Sequence, residues 1–155
     1  MKKNKNGFTL IEILIVVAII AMLLAVFLPN FNLIRIRSRD QSRKAGVKAY
    51  VEALELYKLN QNPPSYPPTI PENGGIWEVG TTTYMNKTPV DPLYSVKPTE
   101  YFYRYGLNGT DSLRYYIGVC LEDETDPEGE DDSPDTTIFV ESTCPSGKWY
   151  YKIEP

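Results

Sequence analysis

The chain has 155 residues, a formal net charge of -4 and no histidine. That length allows one membrane helix and one small domain. The acidic balance argues against non-specific nucleic-acid binding, and the missing histidine removes the commonest general base and metal ligand. Thirteen prolines and twelve tyrosines point to a loop-rich, strand-containing domain rather than a helical bundle.

The first element is a short basic stretch, Lys2-Lys3-Asn4-Lys5-Asn6-Gly7, followed by Phe8-Thr9-Leu10-Ile11-Glu12 and an apolar run from Ile13 to Leu28 closed by Pro29. As a helix, Phe8 to Leu28 is about 31 Å long, matching a bilayer core of ~30 Å. Ile, Leu, Val and Ala cover every side, so the run suits lipid or a bundle of like helices. Glu12 is out of place there. It is either an interfacial carboxylate favoured by the helix dipole or a charge that meets a cation on assembly. A cleavable secretory signal fits poorly, because Leu24-Ala25-Val26-Phe27-Leu28-Pro29 lacks small residues in an A-x-A pattern.

Basic leader, Gly7, Phe8, a pentad ending in Glu12 and the apolar run together resemble the class III signal of type IV pilins and type II secretion pseudopilins. The close motif covers residues 1–30. The resemblance implies a leader at 1–7, cleavage by a prepilin peptidase between Gly7 and Phe8, and N-methylation of Phe8. It implies that Glu12 neutralises the Phe8 amine of a neighbouring subunit, and that Pro29 is a helix-weakening proline. The implied partners are further copies of the chain, the peptidase and an inner-membrane assembly platform. Counting basic residues alone, Lys2, Lys3 and Lys5 against Arg35, Arg37, Arg39, Arg43, Lys44 and Lys48, would put the C-terminus inside the cell. The resemblance reverses this, since the leader must face a cytoplasmic peptidase. The expected location is a single-pass inner-membrane protein, with its C-terminal domain outside the cytoplasm, that later enters a periplasmic or surface filament.

Residues 8–29 are then the membrane and filament-core helix, and 30–60 its amphipathic continuation. Val47, Tyr50, Val51, Leu54 and Tyr57 follow helical spacing and should pack on a sheet. Lys48 and Glu52 lie four apart on the charged side, residues 30–44 are basic and weakly patterned, and Gly46 is a weak point. Residues 61–100 form a connection that opens with the proline-rich Asn60–Pro71, read as a stiff connector rather than a recognition motif. A short strand or helical turn is expected near Trp77.

Residues 101–155 are expected to form the sheet. Tyr101–Tyr105 and Leu113–Leu121 alternate around an Asn108-Gly109 turn, and further strands are expected at Thr137–Ser142 and Lys148–Ile153. The fold class is α+β and pilin-like, a long N-terminal helix packed on a C-terminal antiparallel sheet of about four strands. Pro89-Val90-Asp91-Pro92 resembles a segment of the major pseudopilins.

Cys120 and Cys144 are the only cysteines. Outside the cytoplasm they favour a disulfide contributing about 3–4 kcal/mol, like the C-terminal disulfide loop of many type IV pilins; the alternative is two buried thiols. Residues 122–135 carry carboxylates and no basic residue. Oxygen-rich loops suit calcium, some major pseudopilins hold calcium in a C-terminal loop, and Asp123, Asp126, Glu128 and Asp131 are the candidate ligands. The alternative is a solvated acidic loop, and no other cofactor is expected. Basic and aromatic residues interleave at Tyr103-Arg104-Tyr105, Arg114-Tyr115-Tyr116 and Lys148–Lys152. This is a base-stacking pattern or ordinary strand alternation, and no nucleic-acid partner is expected. Without histidine no nucleophile–base pair stands out, and although carboxylates are many, nothing in their spacing selects a catalytic dyad, so an enzyme is not expected. The reading is a structural subunit of a type IV pilus-like filament or type II secretion pseudopilus. The alternative is a membrane-anchored, minor pilin-like binding protein for DNA uptake or adhesion.

Overall fold

The structure, a computed structural model, describes residues 7–27, 31–71, 74–109, 111–131 and 144–154, with only the backbone of 26, 27 and 154. The chain divides into two compact units, Met1–Arg35 and Ile36–Pro155.

In the first unit, helix α1 spans Leu10–Phe27. It starts at Leu10 rather than at Phe8 because Thr9 serves as its N-cap. Glu12 Nα donates to Thr9 Oγ1 at 3.3 Å, while Thr9 Nα donates to Glu12 Oε2 at 2.8 Å. These reciprocal bonds form a capping box that satisfies free donors of the first turn. At 18 residues, α1 is about 27 Å long. Among the described residues no helix is long and apolar enough to cross a membrane. The side chains of α1 described are exposed, including Ile11 at 64% and Met22 at 73%. Pro29, the expected kink, lies outside the described residues.

Helix α2 spans Phe31–Leu59. Within the second unit its buried residues are Asp40, Arg43, Lys44, Gly46, Val47, Tyr50, Ala53 and Leu54. The stripe read from Val47 onward thus extends one turn and more toward the N-terminus, through charged residues in the same phase.

Strands β1 (Trp77–Val79) and β2 (Thr82–Met85) form a hairpin where one short element was expected. Gly80 turns the chain with φ of 64°, a conformation glycine adopts without a Cβ clash. Trp77 is buried between Tyr57 and Tyr84, with ring centroids 6.0 and 5.7 Å away.

Strands β3 (Arg104–Asn108), β4 (Asp111–Cys120) and β5 (Trp149–Glu154) form an antiparallel sheet in the order β3-β4-β5. The described residues therefore carry three strands of the main sheet, and Thr137–Ser142 lies outside them. Tyr101–Tyr103 precede β3 rather than joining it. Tyr115, Ile117 and Val119 alternate onto the helix side and form one core with Val47, Tyr50 and Leu54. The connection docks by the carbonyls of two prolines, the backbone groups that proline retains, and by one amide. Tyr50 and Tyr105 hydroxyls donate to Pro71 and Pro67 carbonyls at 3.0 and 2.6 Å, and the Tyr66 amide donates to the Ser112 carbonyl.

Candidate functional site

Two groups of residues carry the candidate functions, one in each unit. In the first, Gly7 and Phe8 lie in non-helical backbone before α1, and Phe8 is 84% exposed. Nothing lies within 4 Å of where a Cβ on Gly7 would stand. The Gly7–Phe8 bond and the apolar helix that follows it are both exposed. Glu12 accepts from both the amide and the hydroxyl of Thr9, each at 2.8 Å. Its charge thus serves its own helix terminus.

In the second unit, α2 meets the loop after β4 through a network of ions. Arg43 is fully buried. Its Nε and Nη2 grip Asp91 at 2.7 and 3.0 Å, and its Nη1 donates to Asp40 and Glu122 at 2.6 Å each. The ring of Tyr101 lies 4.4 Å from the guanidinium. Burial alone would lower the arginine's pKa, but its bonds to Asp91, Glu122 and Asp40 outweigh that and hold it above the ordinary value. Asp40 also accepts the amides of Glu122 and Asp123, fixing the chain as it leaves β4. Asp91, in the Pro89–Pro92 segment, caps the turn at Leu93. Arg39 pairs with Glu122 at 2.5 Å, and Arg37 with Asp123 at 3.0 Å.

The acidic residues thus answer the basic stretch of α2. Asp123 is held well below the usual carboxylate range, at about 2, by the hydroxyl and amide of Thr125 and by Arg37. A depressed folded-state pKa stabilises the fold above the unfolded value of 3.8 and loses that contribution as pH falls through about 2. Glu122 and Glu128 are shifted in the same direction. Circular dichroism on acidification should therefore show stability falling between about pH 4 and 2, with a shallower fall for Asp123→Asn.

The four candidate calcium ligands do not converge. A calcium ion needs six to eight oxygens at about 2.3–2.6 Å. Asp123 faces Arg37 and Thr125, Asp126 and Glu128 both face Lys44, and Asp131 faces Lys148 at 2.6 Å. Among the described residues no group of three or more acidic or cysteine ligands is placed to hold a metal ion. The residues present do not fit a calcium cage, because basic side chains of the same chain occupy the carboxylate oxygens.

Cys120 and Cys144 are brought together, their sulfurs 1.94 Å apart and their Cα atoms 5.3 Å apart. The aromatic and basic alternation serves the interior: Tyr103, Tyr115, Trp149 and Tyr150 are buried. Arg104, 5% exposed, lies between the rings of Phe102 and Trp149 at 4.4 and 4.3 Å. Burial lowers its pKa to about 10.

Sequence reasoning missed the pairing of α2 with the loop. Asp40, Arg43, Lys44 and Val47 share one helical phase, and the acidic run was visible; what was hidden was that the topology sets them side by side.

Residues 2–28 match the prokaryotic N-terminal methylation motif. The chain is 45% identical over 60 residues to the type IV wide pilus major component PilA4 of Thermus thermophilus, covering 39% of this chain and 46% of that protein. It is 30% identical over 91 residues to type II secretion system core protein G of Aeromonas hydrophila, covering 59% and 57%. It is 31% identical over 101 residues to type II secretion system core protein G of Pseudomonas aeruginosa, covering 59% of this chain and 70% of that protein. The matches thus span about half the length of the first two relatives. No solved structure matches significantly. With the methylation motif at its N-terminus, an α+β fold behind it and this likeness to core protein G, the chain belongs to the type IV pilin and type II secretion pseudopilin family.

Proposed function

We propose that this chain is the structural subunit of a helical filament, either a type IV pilus-like fibre or a type II secretion pseudopilus, with no catalytic role. One observation carries the reading. The second unit has its own buried core, whereas α1, which lies within the methylation motif, leaves its apolar side chains exposed. A helix of that kind is stored in lipid and buried against like helices on assembly.

In this reading a prepilin peptidase removes residues 1–7, and the new Phe8 amine is methylated. Residues 8–29 anchor the subunit in the inner membrane, with the C-terminal domain outside the cytoplasm, and later form the filament core. Residues 30–60 carry the helix into the domain, 61–100 connect it to the sheet, and 101–155 complete the fold. Glu12 exchanges its capping bond to Thr9 for the Phe8 amine of a neighbouring copy, with Pro29 relaxing the helix between. One heterologous interface repeated along a screw axis gives open-ended growth at an inner-membrane assembly platform.

N-terminal mass spectrometry of the membrane-extracted protein tests the processing step. The expected product begins at a methylated Phe8 and is absent for Gly7→Val; an intact Met1 terminus in the wild type would count against the reading. Export predicts one further result. With Cys120 and Cys144 bridged, native protein should take up no alkylating reagent without reductant, and two labelled thiols would contradict an oxidised domain.

A further inference from the structure

Lys44 stands out among the cations of α2. Its side chain is only 3% exposed. Its Nζ lies 2.6 and 2.7 Å from the two oxygens of Asp126 and 2.8 Å from Glu128. An ammonium has three donors, and all three are used. The ring of Tyr150 lies 5.6 Å from the same nitrogen. Burial would lower this lysine's pKa, but the bonds to Asp126 and Glu128 outweigh it and the net shift is upward.

The loop around it is a shaped cradle. Asp126 accepts the Glu128 amide at 2.9 Å, and its carbonyl accepts the Gly129 amide at 3.1 Å. A Cβ on Gly129 would stand 3.3 Å from the Asp126 carbonyl, from Leu121 and from Lys148, so the turn is tight. Glu130 then pairs with Trp149 at the edge of β5.

We propose that Lys44 is the tethered counter-ion of this loop: fixed on α2, its ammonium neutralises and orients Asp126 and Glu128 in the way a bound divalent cation would, so the fold of the loop is independent of calcium. A calcium ion entering here would have to displace a buried ammonium that makes three bonds. Otherwise it would share the Asp126 oxygens with a positive charge a few ångströms away, which is unfavourable because Lys44 and Asp126 are themselves buried, 3% and 9% exposed, although Glu128 reaches solvent at 56%. Arg37 on Asp123 and Lys148 on Asp131 act in the same sense at the two ends of the loop. The proposal does not depend on filament formation, so its failure would leave that reading untouched.

The test is thermal unfolding of the full chain in detergent micelles, followed by near-ultraviolet circular dichroism of its tyrosines. Wild-type protein should melt at the same temperature in EDTA and in about 10 mM calcium, a concentration above the dissociation constants of weak extracellular calcium sites. A loop that took up calcium would instead rise by about 3–6 °C at tenfold excess over its dissociation constant, and that rise would overturn the proposal. Lys44→Met should lower the melting temperature by about 4 °C or more, because it strands the buried Asp126 carboxylate. A melting temperature within about 1 °C of wild type would also overturn it. The double variant Lys44→Met/Asp126→Asn should recover more than half of the loss, as expected for directly coupled partners. Should Lys44→Met not fold, the wild-type calcium comparison decides alone.

Discussion

Replacing Arg43 with methionine is expected to destabilise the second unit by about 3–5 kcal/mol, read as a lower urea midpoint with an unchanged slope. The cost does not come from lost apolar contact, since methionine fills much of the same volume. It comes from what is left behind. Asp91, Asp40 and Glu122 all take hydrogen bonds from this one guanidinium, and the Asp91 side chain is fully buried. Without Arg43 they become like charges in a poorly solvated space. Asp91→Asn alone should cost less, because Arg43 keeps Asp40 and Glu122. If Arg43→Met were as stable as wild type, the network would be ornamental and the docking of α2 on the loop would rest on apolar packing alone.

Gly46→Ala is the second large effect, and its sign is the informative part. By helix propensity alone, alanine should stabilise an interior helical position by about 1 kcal/mol. In the structure a Cβ there would stand 2.1 Å from the Tyr103 hydroxyl and 2.6 and 2.9 Å from two of its ring carbons. The ring has little room to retreat: it is 4% exposed and packs against Tyr50 with centroids 5.4 Å apart. Burial also pushes the Tyr103 phenol up, so it stays neutral beside Asp91. Overpacking costs about 1–3 kcal/mol, and with three atoms of a buried ring inside 3.0 Å the cost here belongs at the upper end, so the net change in chemical denaturation should be destabilising by about 1–2 kcal/mol. Gly46→Val should be worse, and Tyr103→Phe should rescue only in part because the ring carbons remain. A stabilised Gly46→Ala would mean that Tyr103 does not seat on the helix as described.

These two residues show what the sequence made legible. The apolar half of α2 announced itself by period, and the alternation around Asn108-Gly109 located β4 but set β3 three residues too early, because the strand begins at Arg104 and runs into the expected turn. Gly46 is visible only as a helix weakness, because its reason is a tyrosine 57 positions on, in another element. Arg43 belongs to the same stripe as Val47, but a charged residue in an apolar phase reads as solvent-facing until its partners are known. Asp91 and Glu122, 48 and 79 residues away, are brought to it by chain topology. The hairpin at Trp77 had a signal in the Thr82-Thr83-Tyr84 run after Gly80, rich in strand-favouring side chains. In the sequence the acidic run reads as solvent-facing or metal-binding, because its counter-ions lie on α2. Glu12 was read through the charge it carries; that Thr9 and Glu12 match a capping box, S/T-x-x-E, was present in the same residues.

The central claim is that the N-terminal helix builds a filament and that Glu12 is the residue that licenses it. The most direct test is immunogold electron microscopy of sheared material and envelopes from cells producing the wild type or Glu12→Val, with the mature subunit at equal levels by immunoblot. The account predicts labelled filaments from the wild type and none from Glu12→Val, although the variant is processed and membrane-held. Filaments of equal number and length from Glu12→Val, or no labelled filament from the processed wild type, would contradict it.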